Sequence, residues 1–225
     1  TAPANVSDVR KSARLNSVAT QMEFCEQAIK LNPACIKAWE LAVDRAQAGK
    51  FNLNDKRKWS DLLSKVCGVK YPDFTFAILK PMVETVDDTT EQNRIWEAAF
   101  KMFEKRPDLA AAVRMEQAEM WEKAGNARNA GMCYEDIITR FTTAGPFVIA
   151  ALEKCEQSLR DLKMDDKVLL LYSQTWSKLP APKGFATPII RFSNWYRVGN
   201  LYADRLEKSG KRLDAENVRR KLSGN

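Results

Sequence analysis

The sequence contains no histidine, and this absence removes the side chain that enzymes most often use as a general base. It also removes the commonest neutral metal ligand and the usual partner of a nucleophilic serine or cysteine. The phosphate-binding patterns GxxxxGKS/T and GxGxxG are absent too, and segment 125–131 (GNARNAG) lacks the lysine and the preceding strand of a phosphate loop. We therefore predict that the chain is not an enzyme and binds no cofactor and no metal.

Paired carboxylates are the remaining candidates for acid–base chemistry. Asp87–Asp88, Asp165–Asp166 and Glu116 with Glu119 fall where helix starts or exposed helix faces are expected. A catalytic acid with a perturbed pKa needs burial, which these positions do not indicate. We interpret them as solvated acids.

Long apolar runs are scarce. Runs such as Val168 to Tyr172 reach about five residues, whereas a membrane-spanning helix needs ~20, so we expect no transmembrane segment. The five cysteines form an odd set without a CxxC pair, which fits neither a complete disulfide framework nor a zinc knuckle. We interpret them as structural thiols, which favours a reducing, cytoplasmic compartment. A signal peptide or further domains before Thr1 would leave the localisation open.

Helical periodicity dominates what is present. Hydrophobic residues make up 45% of the chain and charged residues 29%, which is typical of a folded protein. No alternating strand pattern competes with the 3.6-residue period. Eleven helices are predicted near residues 10–31, 34–48, 55–66, 72–86, 90–105, 107–124, 127–141, 144–162, 165–178, 187–209 and 211–222.

Helix-breaking and capping residues set the boundaries. The sequence predicts prolines in first turns at Pro33, Pro72, Pro107 and Pro146, glycines at helix ends at Gly49, Gly125 and Gly210, and caps at Asp55 and Asp165. Residues 180–188 form the one long irregular connection, rich in proline and glycine. We therefore divide the chain into helical repeats at 1–179, this connection, and a C-terminal helix pair at 189–225 that packs on the same solenoid.

Three windows carry a repeated packing pattern. In the last, Trp195, Val198, Gly199 and Tyr202 lie on one helical stripe, and Gly199 allows a neighbouring helix to approach closely. The middle window places small, aromatic and apolar residues in register over two helices, at Ala118, Trp121, Gly125, Ala130, Tyr134 and Ile137. The first window is the segment 28–33 (AIKLNP) followed by Ala38 and Trp39.

These windows resemble the tetratricopeptide repeat in divergent form. The resemblance implies an all-α fold, a right-handed α-solenoid of about five antiparallel helix pairs. Segment 94–107 also resembles the half-a-tetratricopeptide repeats of RNA-processing scaffolds, although the tryptophan and proline pattern of those repeats does not recur here.

The resemblance further implies a non-enzymatic scaffold that binds another protein or peptide. In such repeats the first helix of each pair lines a concave groove, so the matching positions are candidate groove residues. They are Lys37, Glu40 and Asp44, then Met115, Glu119, Glu122 and Lys123, then Ser193, Tyr196, Arg197 and Asn200. Their mixed character suits a helix or extended peptide with charges and apolar anchors better than a clamp for a terminal carboxylate.

Two alternatives to peptide binding remain open. The net charge is +7, and an RNA-associated scaffold would use a basic surface made of Lys56, Arg57, Lys58, Lys211, Arg212, Arg219, Arg220 and Lys221. The tryptophans could stack on bases, but their apolar stripes favour core packing, and Trp59 is expected to face inward with Leu62, Leu63 and Val66. The second alternative is a helical accessory domain of a larger enzyme.

Overall fold

The computed structural model describes residues 18–183 and 191–224, and these ranges contain helices and no β-strand. The eleven α-helices of the described residues are, in chain order, α1 (Val18–Leu31), α2 (Ile36–Gln47), α3 (Leu53–Cys67), α4 (Pro72–Val83), α5 (Thr89–Phe103), α6 (Pro107–Lys123), α7 (Ala127–Arg140), α8 (Pro146–Asp161), α9 (Asp165–Lys178), α10 (Asn194–Lys208) and α11 (Arg212–Ser223). The all-α fold class is therefore confirmed. None of these helices is both long and apolar enough to cross a membrane.

Most predicted helix boundaries agree with the structure within a few residues. The exceptions are the starts of the helices predicted at 10–31 and 187–209. Residues 10–17 and 187–190 lie outside the described residues. The predicted helix over 191–193 is wrong, because Ser193 caps α10 and its Oγ accepts a hydrogen bond from the Tyr196 backbone N–H at 3.2 Å. A serine in extended conformation at this position stabilises the helix that follows it.

Proline and glycine positions follow the prediction more closely than the acidic caps do. Pro72, Pro107 and Pro146 open α4, α6 and α8, where a missing N–H leaves no hydrogen bond unmade. Pro33 is instead in the turn before α2, so its predicted place in a first turn is wrong. The three glycines predicted at helix ends all have positive φ, at 67° for Gly49, 72° for Gly125 and 80° for Gly210.

Neither aspartate caps its helix from the position that was predicted. At α3 the cap is Asn52, and its side chain accepts from the Asp55 N–H while the Asp55 carboxylate accepts from the Asn52 N–H. Asp55 is therefore the third helical residue of a reciprocal capping pair. Asp165 is the first residue of α9, and Met164 before it provides no side-chain cap.

The chain divides into two compact units, one ending at Phe103 and one beginning at Glu104. In the first unit, α1 packs on α2, α3 packs on α4, and α2 also contacts α4. Its core contains Trp39 and Trp59, whose rings meet edge to face at 5.7 Å, and Phe51 stacks on Trp59 at 6.1 Å. Trp59 is 2% exposed, so its predicted inward packing is confirmed.

The second unit consists of three consecutive helix pairs, α6 with α7, α8 with α9, and α10 with α11. Alternate helices also touch: α6 contacts α8, α8 contacts α10, and α7 contacts α9. Each pair therefore buries its apolar face against the next pair as well as within itself, which is how stacked helical repeats form a continuous core.

A buried carboxylate joins three helices of this unit. Glu156 of α8 accepts a hydrogen bond from Tyr172 of α9 at 2.5 Å and from Arg205 of α10 at 3.0 Å. Arg160, one turn further along α8, donates to its other oxygen at 2.7 Å. Burial by itself raises the pKa of Glu156, but these three donors outweigh burial and hold the pKa below its usual value. The carboxylate therefore stays ionised inside the stack.

Gly199 makes the close approach between helices that its sequence pattern predicts. A Cβ at this position would lie 2.6 Å from Leu222 Cδ2 and 2.8 Å from Trp176 Nε1. The missing side chain thus lets α9 and α11 pack directly against the α10 backbone.

We expect Gly199→Ala to lower the free energy of unfolding by about 1–3 kcal/mol, because the methyl group overpacks this contact. Gly131 of α7 is a matched control, since among the described residues no neighbouring atom lies within 4 Å of the position its Cβ would take. Gly131→Ala should therefore raise the free energy of unfolding by up to about 1 kcal/mol, the difference in helix propensity. Urea unfolding followed by circular dichroism measures both, and changes of the same sign would contradict the close approach.

Candidate functional site

A depression of about 460 Å³ lies between α6 and α8 in the second unit. Its lining residues are Met115 and Glu119 of α6 and Pro146, Phe147, Ala150, Glu153 and Lys154 of α8. We refer to it as the α6–α8 depression. It exists because α6 and α8 are alternate helices that touch along one side of the stacked pairs.

Two of the predicted groove residues, Met115 and Glu119, line the depression, and two more lie on the same helix. Glu122 is bound to Lys154 by an ion pair of 2.9 Å, so this lysine is neutralised across the two helices. Lys123 is exposed at the last position of α6. Sequence reasoning thus finds the α6 side of the depression.

The α8 side was missed by sequence reasoning. Phe147 is half-buried and Ala150, Glu153 and Lys154 are exposed, a helix face with the spacing of 3 and 4 residues that marks one stripe. No window of the repeat pattern falls on α8, and the stripe shows no chemistry that distinguishes it from a solvated surface. The signal that could have identified these α8 residues is that α8 occupies the same position in its helix pair as α6 does in the preceding pair.

The predicted groove residues of α10 do not line the depression. Ser193 serves as the helix cap, and Asn200 Nδ2 donates to the Tyr196 carbonyl one turn before it at 2.9 Å. Tyr196 is half-buried and Arg197 is exposed. The side-chain amide of Asn200 therefore donates within its own helix, although α10 contacts α8.

Lys37, Glu40 and Asp44 form an exposed stripe on α2, in the first unit. Their spacing of 3, 4 and 7 residues puts them on one helix face, and none of them lines the α6–α8 depression. Of the eleven predicted groove residues, Met115 and Glu119 line the depression.

The predicted basic surface at 56–58 does not form as an open patch. Lys56 is 9% exposed and its ammonium donates to the Thr85 carbonyl, which corrects its assignment to the surface. Arg57 binds Glu91 at 2.8 Å, and Lys58 is paired with Glu26. Hydrogen bonds from Arg57 and from Arg94 lower the pKa of Glu91, so this acid stays ionised and compensates the arginines.

The C-terminal basic residues are more accessible. Lys211, Arg212, Arg220 and Lys221 are exposed on or just before α11. Arg219 is held by Asp204 at 3.0 Å and Glu207 at 2.5 Å. Four cations of this group therefore remain on the surface, interspersed with the exposed acids Asp214 and Glu216.

The aromatic residues and cysteines serve packing. Trp39, Trp96 and Trp195 are buried. Trp176 packs against Trp195 in a tilted arrangement, with ring centroids 5.6 Å apart. All five cysteines are free thiols. Within the described residues, no group of three or more acidic or cysteine side chains is arranged to hold a metal ion.

Comparisons with known proteins give a distant structural similarity. No protein-family model matches the sequence, and no curated protein matches it. Among solved structures, the chain is similar to one described as a kinesin light chain of Podosopora anserina with nearly identical TPR-like repeats, at 14% identity and a TM-score of 0.39, covering 86% of this chain and 95% of that one. A single-residue variant of that protein matches with the same identity and TM-score, covering 85% and 94%.

At this TM-score the neighbours do not define the arrangement of helices, which follows from the contacts inside each unit. Those contacts are between consecutive helices and between alternate helices, and the strongest repeat window, from Ala118 to Ile137, falls on the pair α6 and α7. The chain is an all-α protein of packed helix pairs that resembles tetratricopeptide repeats.

Proposed function

We propose that this chain is a non-enzymatic protein-interaction scaffold that binds a protein or peptide segment in the α6–α8 depression. The observation that carries the proposal is the depression itself, a preformed concave surface between two alternate helices with an apolar floor. Met115, Phe147 and Ala150 supply that floor. Concave, partly apolar surfaces with a few polar groups are where ligands bind most often.

The charges around the depression favour a basic partner. Glu119 and Glu153 are exposed, and neither side chain forms an ion pair with another described residue. The one lysine in the lining, Lys154, is neutralised by Glu122. A segment that carries apolar anchors flanked by lysine or arginine complements this surface in both shape and charge.

Support for the RNA alternative is weaker, because the cluster at 56–58 is buried or paired and the depression is acidic. The exposed cations before and on α11 are the part of that alternative that persists. An RNA ligand would lose affinity with salt at about −0.7 in log–log slope for each neutralised phosphate on a single strand. A basic peptide bound mainly through apolar anchors would show a much shallower slope.

We expect Met115→Lys to weaken peptide binding by at least about tenfold, the effect of losing one buried anchor and adding a repulsive charge. The measurement uses peptides selected from a displayed random library on the wild-type chain, with affinity determined by fluorescence anisotropy. Leu213→Lys is the matched control, since Leu213 is 76% exposed on α11 and lies outside the depression. It should leave the affinity unchanged.

A double variant of Tyr196 and Asn200 to alanine extends this test to α10. Weaker binding with unchanged helicity would place α10 in the binding surface together with α6 and α8. If no peptide is enriched, or if the enriched peptides bind Met115→Lys as tightly as wild type, the proposal is wrong.

A further inference from the structure

The second unit has another concave surface, which shares the helix α8 with the α6–α8 depression but none of its lining residues. Its walls are α7 and α9, its floor is α8, and its volume is about 370 Å³. The lining is mainly apolar and includes Ile138, Leu159 and Leu171. Met132 and Leu162 belong to the same lining and are 60% and 68% exposed. This α7–α9 cleft is near the lower end of the ~300–1,000 Å³ range of ligand pockets, which suits one or two anchoring side chains.

A glycine in the wall of the cleft has no role in packing within the described chain. Gly131 is in the interior of α7, where glycine is less favourable than alanine because of its backbone entropy. Nothing among the described residues lies within 4 Å of the position its Cβ would take, whereas Gly199 is surrounded by Trp176 and Leu222. The space beside Gly131 is open to the cleft, and the absent side chain allows the backbone of a bound partner to approach α7 closely.

The charged side chains that line the cleft have no partners among the described residues. Arg128 and Glu135 of α7 and Lys178 of α9 line it, and none of the three side chains forms an ion pair or hydrogen bond with another described residue. Other cations of this unit behave differently, since Arg160 and Arg205 are both held by Glu156. Two unpaired cations against one carboxylate favour a partner with an excess of acidic groups.

We propose that the α7–α9 cleft is a second interaction surface, which binds an acidic amphipathic helix of a partner protein. Apolar side chains of that helix enter the cleft between Met132 and Leu162, and its carboxylates lie opposite Arg128 and Lys178. A groove walled by two helices accommodates a third helix by interdigitating side-chain ridges, and the described residues contain no strand edge for an extended segment. No residue lines both this cleft and the α6–α8 depression.

The test uses the full chain carrying Met115→Lys, so that peptides directed at the α6–α8 depression are disfavoured. Short helix-forming peptides are selected from a displayed library on this protein. The enriched peptides should carry an apolar stripe flanked by aspartate or glutamate. Adding Gly131→Trp should weaken their binding by at least about tenfold, because the indole fills the cleft. Gly131→Ala adds a single methyl group at the point of close approach and should weaken binding much less than Gly131→Trp.

Charge and folding controls complete the experiment. Reversing Arg128 and Lys178 together to glutamate should shift the selection toward basic peptides. Circular dichroism verifies that Gly131→Trp keeps its helicity, and Met132→Glu, at an exposed position, is a second blocking variant that does not depend on it.

The proposal is overturned if no peptide is enriched over carrier protein, if enriched peptides bind both blocking variants as tightly as the parent, or if they are basic. Sedimentation equilibrium tests whether a second copy of the chain occupies the cleft instead. If the wild-type chain dimerises and Gly131→Trp does not, the cleft binds a second copy of the chain, and the assignment to a partner helix is wrong. Because the two surfaces share no lining residue, peptides that are selected on the wild-type chain and lose binding to Met115→Lys alone would support only the α6–α8 depression.

Discussion

Replacing Glu156 with alanine should lower the free energy of unfolding by about 3–5 kcal/mol, as expected when one partner of a buried ion pair is removed. The variant leaves the Arg205 guanidinium, whose side chain is 19% exposed, without its carboxylate. It also leaves the buried hydroxyl of Tyr172 without its acceptor. Urea denaturation followed by circular dichroism measures the loss.

Arg160→Met is the matched control for this network. Arg160 also binds Glu156, but its side chain is 45% exposed and shared with Asp165 at 2.8 Å. An exposed ion pair contributes at most about 1 kcal/mol, so this variant should be far milder than Glu156→Ala. Similar losses in the two variants would show that burial of the carboxylate is not what makes the network important.

The same carboxylate gives the stability a defined pH dependence. Its pKa in the folded chain lies below the value of about 4.3 for an unperturbed glutamate. The stabilisation is therefore complete above the unfolded pKa and is lost as the pH falls through the folded one. Glu156→Gln removes this titration, so its stability should fall less steeply than that of wild type between neutral pH and the acid range. Parallel curves would contradict the lowered pKa.

Replacing Trp39 with alanine should cost about 3–5 kcal/mol in the first unit, the usual effect of deleting a buried tryptophan. Trp39 is fully buried, its ring packs edge to face on Trp59, and its Nε1–H donates to the Pro33 carbonyl at 2.7 Å. Removing the ring therefore leaves a large cavity between α2 and α3. It also removes one of the hydrogen-bond donors to the Pro33 carbonyl. Urea denaturation gives the loss from the shift in midpoint at constant slope.

Trp39→Phe separates these two contributions. Phenylalanine keeps most of the ring packing and loses the hydrogen bond, which is worth about 0.5–1.5 kcal/mol. The Pro33 carbonyl also accepts from Cys67 Sγ at 2.9 Å, so it does not become unsatisfied. The loss in this variant should be well below that of Trp39→Ala, and equal losses would mean that packing contributes little.

The helices could be predicted because their signals are local. Pro107 opens α6 and Gly125 with positive φ follows its end, and both act through the backbone conformation of neighbouring residues. The errors are local choices as well: Asn52 and Asp55 can each cap a helix by themselves, and the sequence does not show that they do so jointly. Pro33 was misplaced because it lies in a turn whose carbonyl accepts from Trp39 and from Cys67, and Cys67 is 34 residues further along the chain.

The candidate site was predicted only where a repeat window covered it. Met115 and Glu119 were found because they follow the register set by Ala118 and Trp121. The α8 side lies outside every window, and its contribution depends on how α8 packs against α6. Lys56 is a case where the sequence predicted a surface residue and the fold buries it. It is one of three consecutive basic residues, but its stem is buried and its ammonium donates to the Thr85 carbonyl.

By itself, the sequence determined that this chain is built of helices, where most of them end, and that Trp39, Trp59 and Gly199 serve packing. Those properties arise from periodicity, backbone preference and side-chain size, which act over a few residues. The tertiary structure alone decided which charged side chains are paired and which are not. Glu156 meets Tyr172 and Arg205, Arg57 meets Glu91, and Arg128 meets no partner among the described residues. Electrostatic pairing depends on distances between helices, and these are set only when the helices pack.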